Sequence, residues 1–291
     1  MFLLYYINKI GTSETLRNEI TVTTEKIKSI SVHVPTHLKP SNDTEFGHYL
    51  AGLIDGDGHF SSKQQLIIVF NSLDVSLAYY IKSRLGYGNI RKIKNKNAIL
   101  LIITVKKGME KVINLINGKI RTENKFNQIN KNILTHKNYN EFNKTITLNL
   151  NISKNLENHW LAGFTDADGN FQIKMIKRKD TREIRLNFQI DQALQKKDKL
   201  LILIKEYLGG NIGYRKSLDT YYYGSTSFGS AKKVINYFDH FHLLSSKHIN
   251  YLKWRKAYII IQNKDHLNNS GIEKIIKLKN TINRFNLDTV V

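Results

Sequence analysis

The sequence predicts an α+β protein of two pseudo-symmetric αββαββα repeats, each with an antiparallel sheet, packed together through one helix from each repeat. Three observations carry that reading. The nine residues Leu50-Ala51-Gly52-Leu53-Ile54-Asp55-Gly56-Asp57-Gly58 return 111 positions later as Leu161-Ala162-Gly163-Phe164-Thr165-Asp166-Ala167-Asp168-Gly169, which marks two copies of one unit. A second match follows in each copy, Leu85-Gly86-Tyr87-Gly88-Asn89-Ile90 against Leu208-Gly209-Gly210-Asn211-Ile212. After each nonapeptide the apolar period changes from about 3.6 residues, the helical value, to 2, the strand value.

Taken in order, residues 1–43 read as an N-terminal extension, because both prolines, Pro35 and Pro40, fall there and bias the chain toward extended backbone. Segments 20–23 and 31–34 could add edge strands, and a loosely packed arm fits the same residues. Asp43-Thr44-Glu45 supplies oxygen-bearing side chains to start the first helix. A first repeat with its linker spans 44–149, the Asn-rich stretch Asn143 to Asn151 being the linker, and a second repeat spans 150–291. In that repeat Ser153 or Asn155 is placed to start the signature helix. The strand pattern is clearest there: Phe171, Ile173 and Met175 alternate with polar residues, Lys179-Asp180-Thr181-Arg182 reads as a hairpin turn, and Ile184, Leu186, Phe188 and Ile190 alternate with Glu183, Arg185, Asn187, Gln189 and Asp191. Such alternation puts one face on a core and the other in solvent. Helices Leu73–Leu85 and Lys196–Leu208 follow, and each Gly-Asn-Ile opens a second strand pair. The aromatic landmarks Phe60 and Phe70 lie 10 apart while Phe171 and Phe188 lie 17 apart, so the first hairpin of repeat one is expected to be the shorter.

Composition narrows the partners. The 291 residues carry 45 Lys and Arg against 24 Asp and Glu, a formal charge of +21 spread through both repeats, which suits a polyanion. No apolar run approaches the roughly 20 residues a bilayer span requires. The start lacks the basic n-region and cleavage site of a secretory signal, so a soluble, intracellular protein is expected. With no cysteine, disulfides and thiolate metal sites are excluded and any metal is expected to be hard. The histidines of Asp239-His240-Phe241-His242 with His248 read as surface or core residues, Trp160 and Trp254 as core, and Tyr221-Tyr222-Tyr223 as a strand.

The nonapeptide has its own chemistry. Its third and seventh positions are Gly52 and Gly56, then Gly163 and Ala167, one helix face almost without side chains, which allows two backbones to touch. If the repeats are related by a pseudo-two-fold, that stripe is the helix contact, and Asp57 and Asp168 come side by side at the negative ends of two helices. Their repulsion, worsened by the helix dipoles, invites divalent cations with oxygen ligands, as in Mg²⁺-dependent phosphoryl chemistry.

Those residues resemble the signature of the LAGLIDADG homing endonucleases in their single-chain, two-repeat, group I intron-encoded form, over roughly residues 44–263. The resemblance implies saddle-forming sheets laid on DNA. It implies that Asp57 and Asp168 bind the catalytic metals, one for each strand, with Gly56 and Ala167 in the metal sites, and that Asp55 and Asp166 are structural. It points to Lys247, in Ser246-Lys247-His248-Ile249-Asn250-Tyr251, as the lysine beside the second site. In copy one Lys125 aligns best, with Lys119 the alternative. Gln192 matches a site-proximal glutamine, and its counterpart here is Asp74, a departure from the family pattern. The resemblance further implies Mg²⁺, a double-stranded DNA partner, a monomer and a mitochondrial protein.

On that reading, outward residues of the sheets meet the major groove: Gln172, Lys174, Arg178, Arg185, Asn187, Gln189 and Arg215 in repeat two, and Ser61, Lys63, Gln65 and Arg91 in repeat one. The leading expectation is a site-specific double-strand DNA endonuclease. The alternative is a group I intron RNA maturase or another non-cleaving nucleic-acid-binding protein on the same fold. Loss of an acid at the eighth signature position would favour that alternative, and here both acids are present.

Overall fold

Helix α1 (Asp43–Asp57) starts one residue earlier than the expected cap, where the Asn42 side chain accepts the Glu45 N–H at 2.9 Å and Glu45 reaches back to the Ser41 N–H at 2.7 Å. This is seen in the computed structural model, which describes residues 29–177, 182–193 and 199–283. Contacts divide the chain into Met1–Ser31, nearly all of it outside the described residues, and Val32–Val291, which holds both repeats. Residues 32–42 belong to the larger unit: the Arg255 guanidinium donates to the His33 carbonyl at 3.1 Å and that of Arg84 to the Pro40 carbonyl at 2.8 Å. Of the two segments weighed as edge strands, 31–34 forms none and 20–23 lies outside the described residues.

Repeat one continues through β1 (Gly58–Ser61), β2 (Gln65–Asn71), α2 (Val75–Leu85), β3 (Asn89–Lys92), β4 (Ala98–Ile103) and α3 (Lys106–Ile116). Helix α4 (Glu123–Ile129) and the short α5 (Asn140–Thr145) lead to the linker. Repeat two has α6 (Trp160–Asp168), β5 (Gly169–Lys177), β6 (Arg182–Ala193), α7 (Lys199–Leu208), β7 (Asn211–Arg215), β8 (Thr220–Ser225) and α8 (Phe228–His240). Then come α9 (Lys247–Gln262) and α10 (Asn269–Thr281). Both sheets are four-stranded and antiparallel in the same order, β1-β2-β4-β3 and β5-β6-β8-β7. The expected αββαββα repeat is therefore present twice. The expected turn Lys179-Asp180-Thr181-Arg182 lies almost wholly outside the described residues, as do the first three residues expected in the helix Lys196–Leu208.

Two expectations change. The second signature helix begins at Trp160, well after Ser153 or Asn155. Side chains of Asn151, Ser153, Asn155 and Asn158 each accept the N–H two residues on, at 2.9, 3.1, 2.7 and 2.9 Å. This run of Asx and Ser turns offers the backbone a local alternative to the helix. The approach to it is fastened too: the Gly118 N–H donates to the Asn149 carbonyl at 3.0 Å and the Asn151 N–H to the Ile120 carbonyl at 2.8 Å. The second change is one of register. Gly58 pairs with Ile68 and Gly169 with Ile190, while Phe60 pairs with Leu66 and Phe171 with Phe188. Leu66, and not Phe70, thus stands where Phe188 stands, and the hairpin of repeat one is shorter by eleven residues, more than the aromatic landmarks suggested.

The cores lie between each sheet and its helices. That of repeat one is largely aliphatic around Leu66, Ile68, Leu101, Ile103, Met109 and Val112, all buried. That of repeat two is aromatic, with Phe171, Phe188, Tyr223, Phe238, Tyr251 and Trp254 buried and the Phe171 and Phe188 rings stacked at 5.0 Å. Helices α1 and α6 join the halves. A β-carbon on Gly52 would overlap the Trp160 carbonyl, and one on Gly163 would overlap the Tyr49 carbonyl. Tyr49 and Trp160 occupy the same position before their signatures, so the contact is reciprocal, as the small-residue stripe predicted.

Candidate active site at the helix seam

Each signature helix ends against a glycine that opens a strand directly, Gly58 and Gly169, whose N–H groups still bond the Ile54 and Thr165 carbonyls. A β-carbon on either would run into the last helical turn, so the residue before each glycine is held at the mouth of the seam. Those residues are Asp57 and Asp168. A β-carbon on Gly56 would overlap that of Ala167 and lie 3.0 Å from Asp168 Oδ2, so the second carboxylate sits over the first helix's backbone. Asp57 opens to solvent and Asp168 is half-buried. The protein mass around the seam, and for Asp57 the charge of Asp168, push both carboxyls up, Asp57 to about 6.

Two cations answer the pair. The Lys247 ammonium donates to the Ala167 carbonyl at 2.5 Å and the Thr165 carbonyl at 3.2 Å, and that of Lys125 donates to the Gly58 carbonyl. Both lysines act on Asp57 and Asp168 by charge, and burial lowers both ammonium pKa values. Lys119 instead bonds the Leu115 carbonyl of its own segment at 2.8 Å, so of the two candidates in copy one Lys125 is the one beside the acids. Gln192 donates to Asp168 Oδ2 at 2.7 Å.

The departure at Asp74 resolves through the sheet register. Ile68 and Ile190 occupy equivalent rungs, opposite Gly58 and Gly169, so Phe70 stands where Gln192 stands, and it is buried. Asp74 instead binds backbone, its carboxylate accepting the Ser246 N–H at 2.6 Å, across the seam and next to Lys247.

Behind the site the other signature acids form a matched pair of anchors that composition could not specify. Asp55, 5% exposed, accepts the Arg121 and Thr122 N–H groups at 2.8 and 3.1 Å, the Thr122 hydroxyl at 2.6 Å and the Trp160 indole N–H at 2.8 Å. Asp166, 7% exposed, accepts the Leu244 and Ser245 N–H groups at 2.7 and 3.3 Å, the Ser245 hydroxyl at 2.5 Å and the Tyr49 hydroxyl at 2.6 Å. Each acid fixes the loop just ahead of one lysine and takes one bond from the opposite helix. Asp55 and Asp166 are thus structural. The partners Tyr49, Thr122, Trp160 and Ser245 went unseen because nothing in one sequence pairs residues so far apart.

The donor set at the mouth is two carboxylates with backbone carbonyls, all oxygen, and among the described residues no group of three or more His, Cys, Asp or Glu could hold a metal ion. That set fits Mg²⁺, which takes one or two protein carboxylates and completes its octahedron with water and substrate phosphate. Of the backbone groups read as metal ligands, the Ala167 carbonyl is engaged by Lys247, and Gly56 lies beside it against Asp168. Of the histidines singled out in the sequence, His242 and His248 cluster with His37 in tilted and edge-on contacts, ring centroids 4.3 to 6.0 Å apart, and burial lowers His248 to about 4.

Beyond the acids, the outward rungs of the second sheet carry Gln172 opposite Asn187 and Lys174 opposite Arg185. Asn187 and Gln189 were expected in solvent, and they are 4% and 6% exposed. Neighbouring side chains cover them: Asn187 donates to Gln172 and Gln189, and Gln189 to Asp191, at 2.8 to 3.4 Å. Arg185 pairs with Glu183 at 2.5 Å and Arg215 with Asp191 at 3.3 Å. In repeat one Ser61 faces Gln65 on the outward side, Arg91 is exposed on β3 and Lys63 is exposed in the hairpin turn. Arg178 lies outside the described residues. No helix among the described residues is long and apolar enough to cross a membrane.

Residues 50–136 and 161–258 match the model of the LAGLIDADG endonuclease family. A Schizosaccharomyces pombe protein described as an uncharacterized cox1 intron-2 37.2 kDa protein is 68% identical over 271 residues, spanning 93% of this chain and 81% of that protein. The intron-encoded DNA endonuclease aI3 of Saccharomyces cerevisiae is 29% identical over 274 residues, spanning 76% of this chain and 65% of that protein. In fold the chain is similar to the LAGLIDADG meganuclease I-CpaMI bound to uncleaved DNA, with a TM-score of 0.63 at 21% identity over 82% of this chain and 99% of that one. It is similar also to I-SmaMI bound to uncleaved DNA with calcium ions, with a TM-score of 0.60 at 22% identity over 86% of this chain and 100% of that one.

Proposed function

The chain belongs to the LAGLIDADG endonuclease family, and on that premise we propose that it is a site-specific, divalent-metal-dependent double-strand DNA endonuclease. One observation carries the reading: two carboxylates from different repeats, Asp57 and Asp168, meet at the seam, each with a lysine beside it. Asp57 and Asp168 would hold Mg²⁺. Bound there, the ions supply positive charge to the attacking and leaving oxygens of an in-line phosphodiester hydrolysis. Lys247 and Lys125, with ammonium pKa values lowered by burial, orient water and steady the phosphate, one at each strand. Gln192 holds the Asp168 carboxylate in one orientation. Because one chain supplies both halves of the site, a monomer suffices. The exposed basic residues of both repeats hold phosphates, while the outward rungs read base edges.

The cox1 intron origin of the S. pombe relative supports a mitochondrial setting and names a test substrate. A plasmid carrying the intronless cox1 junction of the source should be linearised by purified protein with Mg²⁺ and left intact with EDTA. Binding without cutting in Mg²⁺, together with faster splicing of the matching intron RNA, would move the reading to a maturase.

A further inference from the structure

The two sheets present unlike chemistry at equivalent rungs. In the first, Ile67 pairs with Ile102 and Val69 with Leu100 on the outward side, on either side of the rung that holds Gly58, the residue after Asp57. These four form a contiguous apolar patch, partly exposed, with Val69 at 42%. Gly58 and Gly169 set the correspondence: the same rungs of the second sheet carry Gln189, Asp191, Tyr222 and Gly224. On the central strands one half thus presents the polar side chains of Asp191 and Tyr222 where the other presents methyl and methylene groups, flanked on its outer strands by His59, Asn89 and Arg91.

Isolated apolar residues on a surface mean little, but four on adjacent rungs beside an acid pair form a patch that needs an occupant. Basic residues flank it, Arg91 on the same face of β3 and Lys63, Lys94 and Lys96 in the adjoining turns, all exposed, so the occupant is a polyanion that brings apolar groups of its own. In the major groove the apolar group is the thymine 5-methyl. RNA carries no such methyl on uracil, and its A-form major groove is too narrow to admit a sheet. We propose that the outward face of the first sheet recognises thymine methyl groups in the base pairs nearest the cut, so that the half-site under repeat one is A·T-rich there while the half-site under repeat two is read by hydrogen bonds. This rests on the endonuclease reading and specifies its substrate.

The test selects duplexes bound by the full-length protein from a randomised DNA library in EDTA, then replaces each thymine of the enriched site by deoxyuridine. Removing a methyl that contacts Val69 or Leu100 should weaken binding about fourfold. The penalty should shrink toward onefold in Val69→Ala and Leu100→Ala, whose melting temperatures serve as the folding control, and thymines in the other half should tolerate the change. Selection of no sequence would reject the endonuclease reading itself. An enriched site indifferent to deoxyuridine, or a penalty unchanged in both variants, would overturn the inference alone, as would equal affinity for RNA duplex of the same sequence. DNA-free dimers that Val69→Lys abolishes would overturn it too, assigning the face to a second copy.

Discussion

At the scale of single residues, the acid pair is unequal. Gln192 restrains Asp168, whereas the matching rung beside Asp57 holds the buried Phe70. Asp57→Asn and Asp168→Asn should each abolish double-strand cutting while leaving DNA affinity within a few-fold; full linearisation by either in Mg²⁺ would reject the assignment. Gln192→Ala should act on one strand, so nicked plasmid should accumulate in a time course before linear product. The raised Asp57 carboxyl also sets a pH dependence. Its protonated form is favoured by folding, so this group's contribution to metal-free stability declines as pH rises from about 4 toward about 6. A bound cation needs the ionised form. The rise in Tm produced by Mg²⁺ should therefore be full above about pH 6 and fade below it, which calorimetry on either side of that pH will check.

At the scale of elements, the seam between α1 and α6 is set by two glycines that admit no side chain. Gly52→Leu or Gly163→Leu should destabilise the protein by about 1–3 kcal/mol or more and lower Tm accordingly; an unchanged Tm would mean that the helices meet elsewhere. This contact was legible in the sequence because spacing alone puts residues four apart on one face, and the strand-helix order was legible because the apolar period changes after each signature. The acids and Lys247 were legible through the repeat and its resemblance. Three things were not. The Asn-rich approach to α6 hides its structure in side-chain-to-backbone turns that periodicity does not register. The rung opposite Gln192 depends on strand register, and landmark aromatics misplaced it at Asp74. The anchors Tyr49 and Trp160 act across the seam, over sequence distances of 117 and 105 residues, where a local pattern carries no information.

For the whole molecule, the charge of +21 makes association strongly dependent on salt. Lys63→Ala should weaken binding to all DNA sequences alike and reduce the slope of log affinity against log salt by about one, whereas Arg185→Ala should relax preference at one or two base pairs at a cost of about 1–3 kcal/mol. Filter-binding titrations over a salt series separate the two outcomes. The shorter hairpin of repeat one reaches fewer base pairs, so cleavage profiling over all single-base variants should find the outer end of its half-site the more permissive. The seam has a consequence for heredity as well. Where α1 and α6 cross most closely they meet backbone to backbone, and two reciprocal bonds, Tyr49 to Asp166 and Trp160 to Asp55, complete the match. Beyond these, Asp74 accepts the Ser246 N–H and the Arg121 guanidinium donates to the Ser153 and Asn155 carbonyls across the junction. On the proposed function, each half can accumulate substitutions in its own sheet while those positions are kept, so that recognition of one half-site changes without the other.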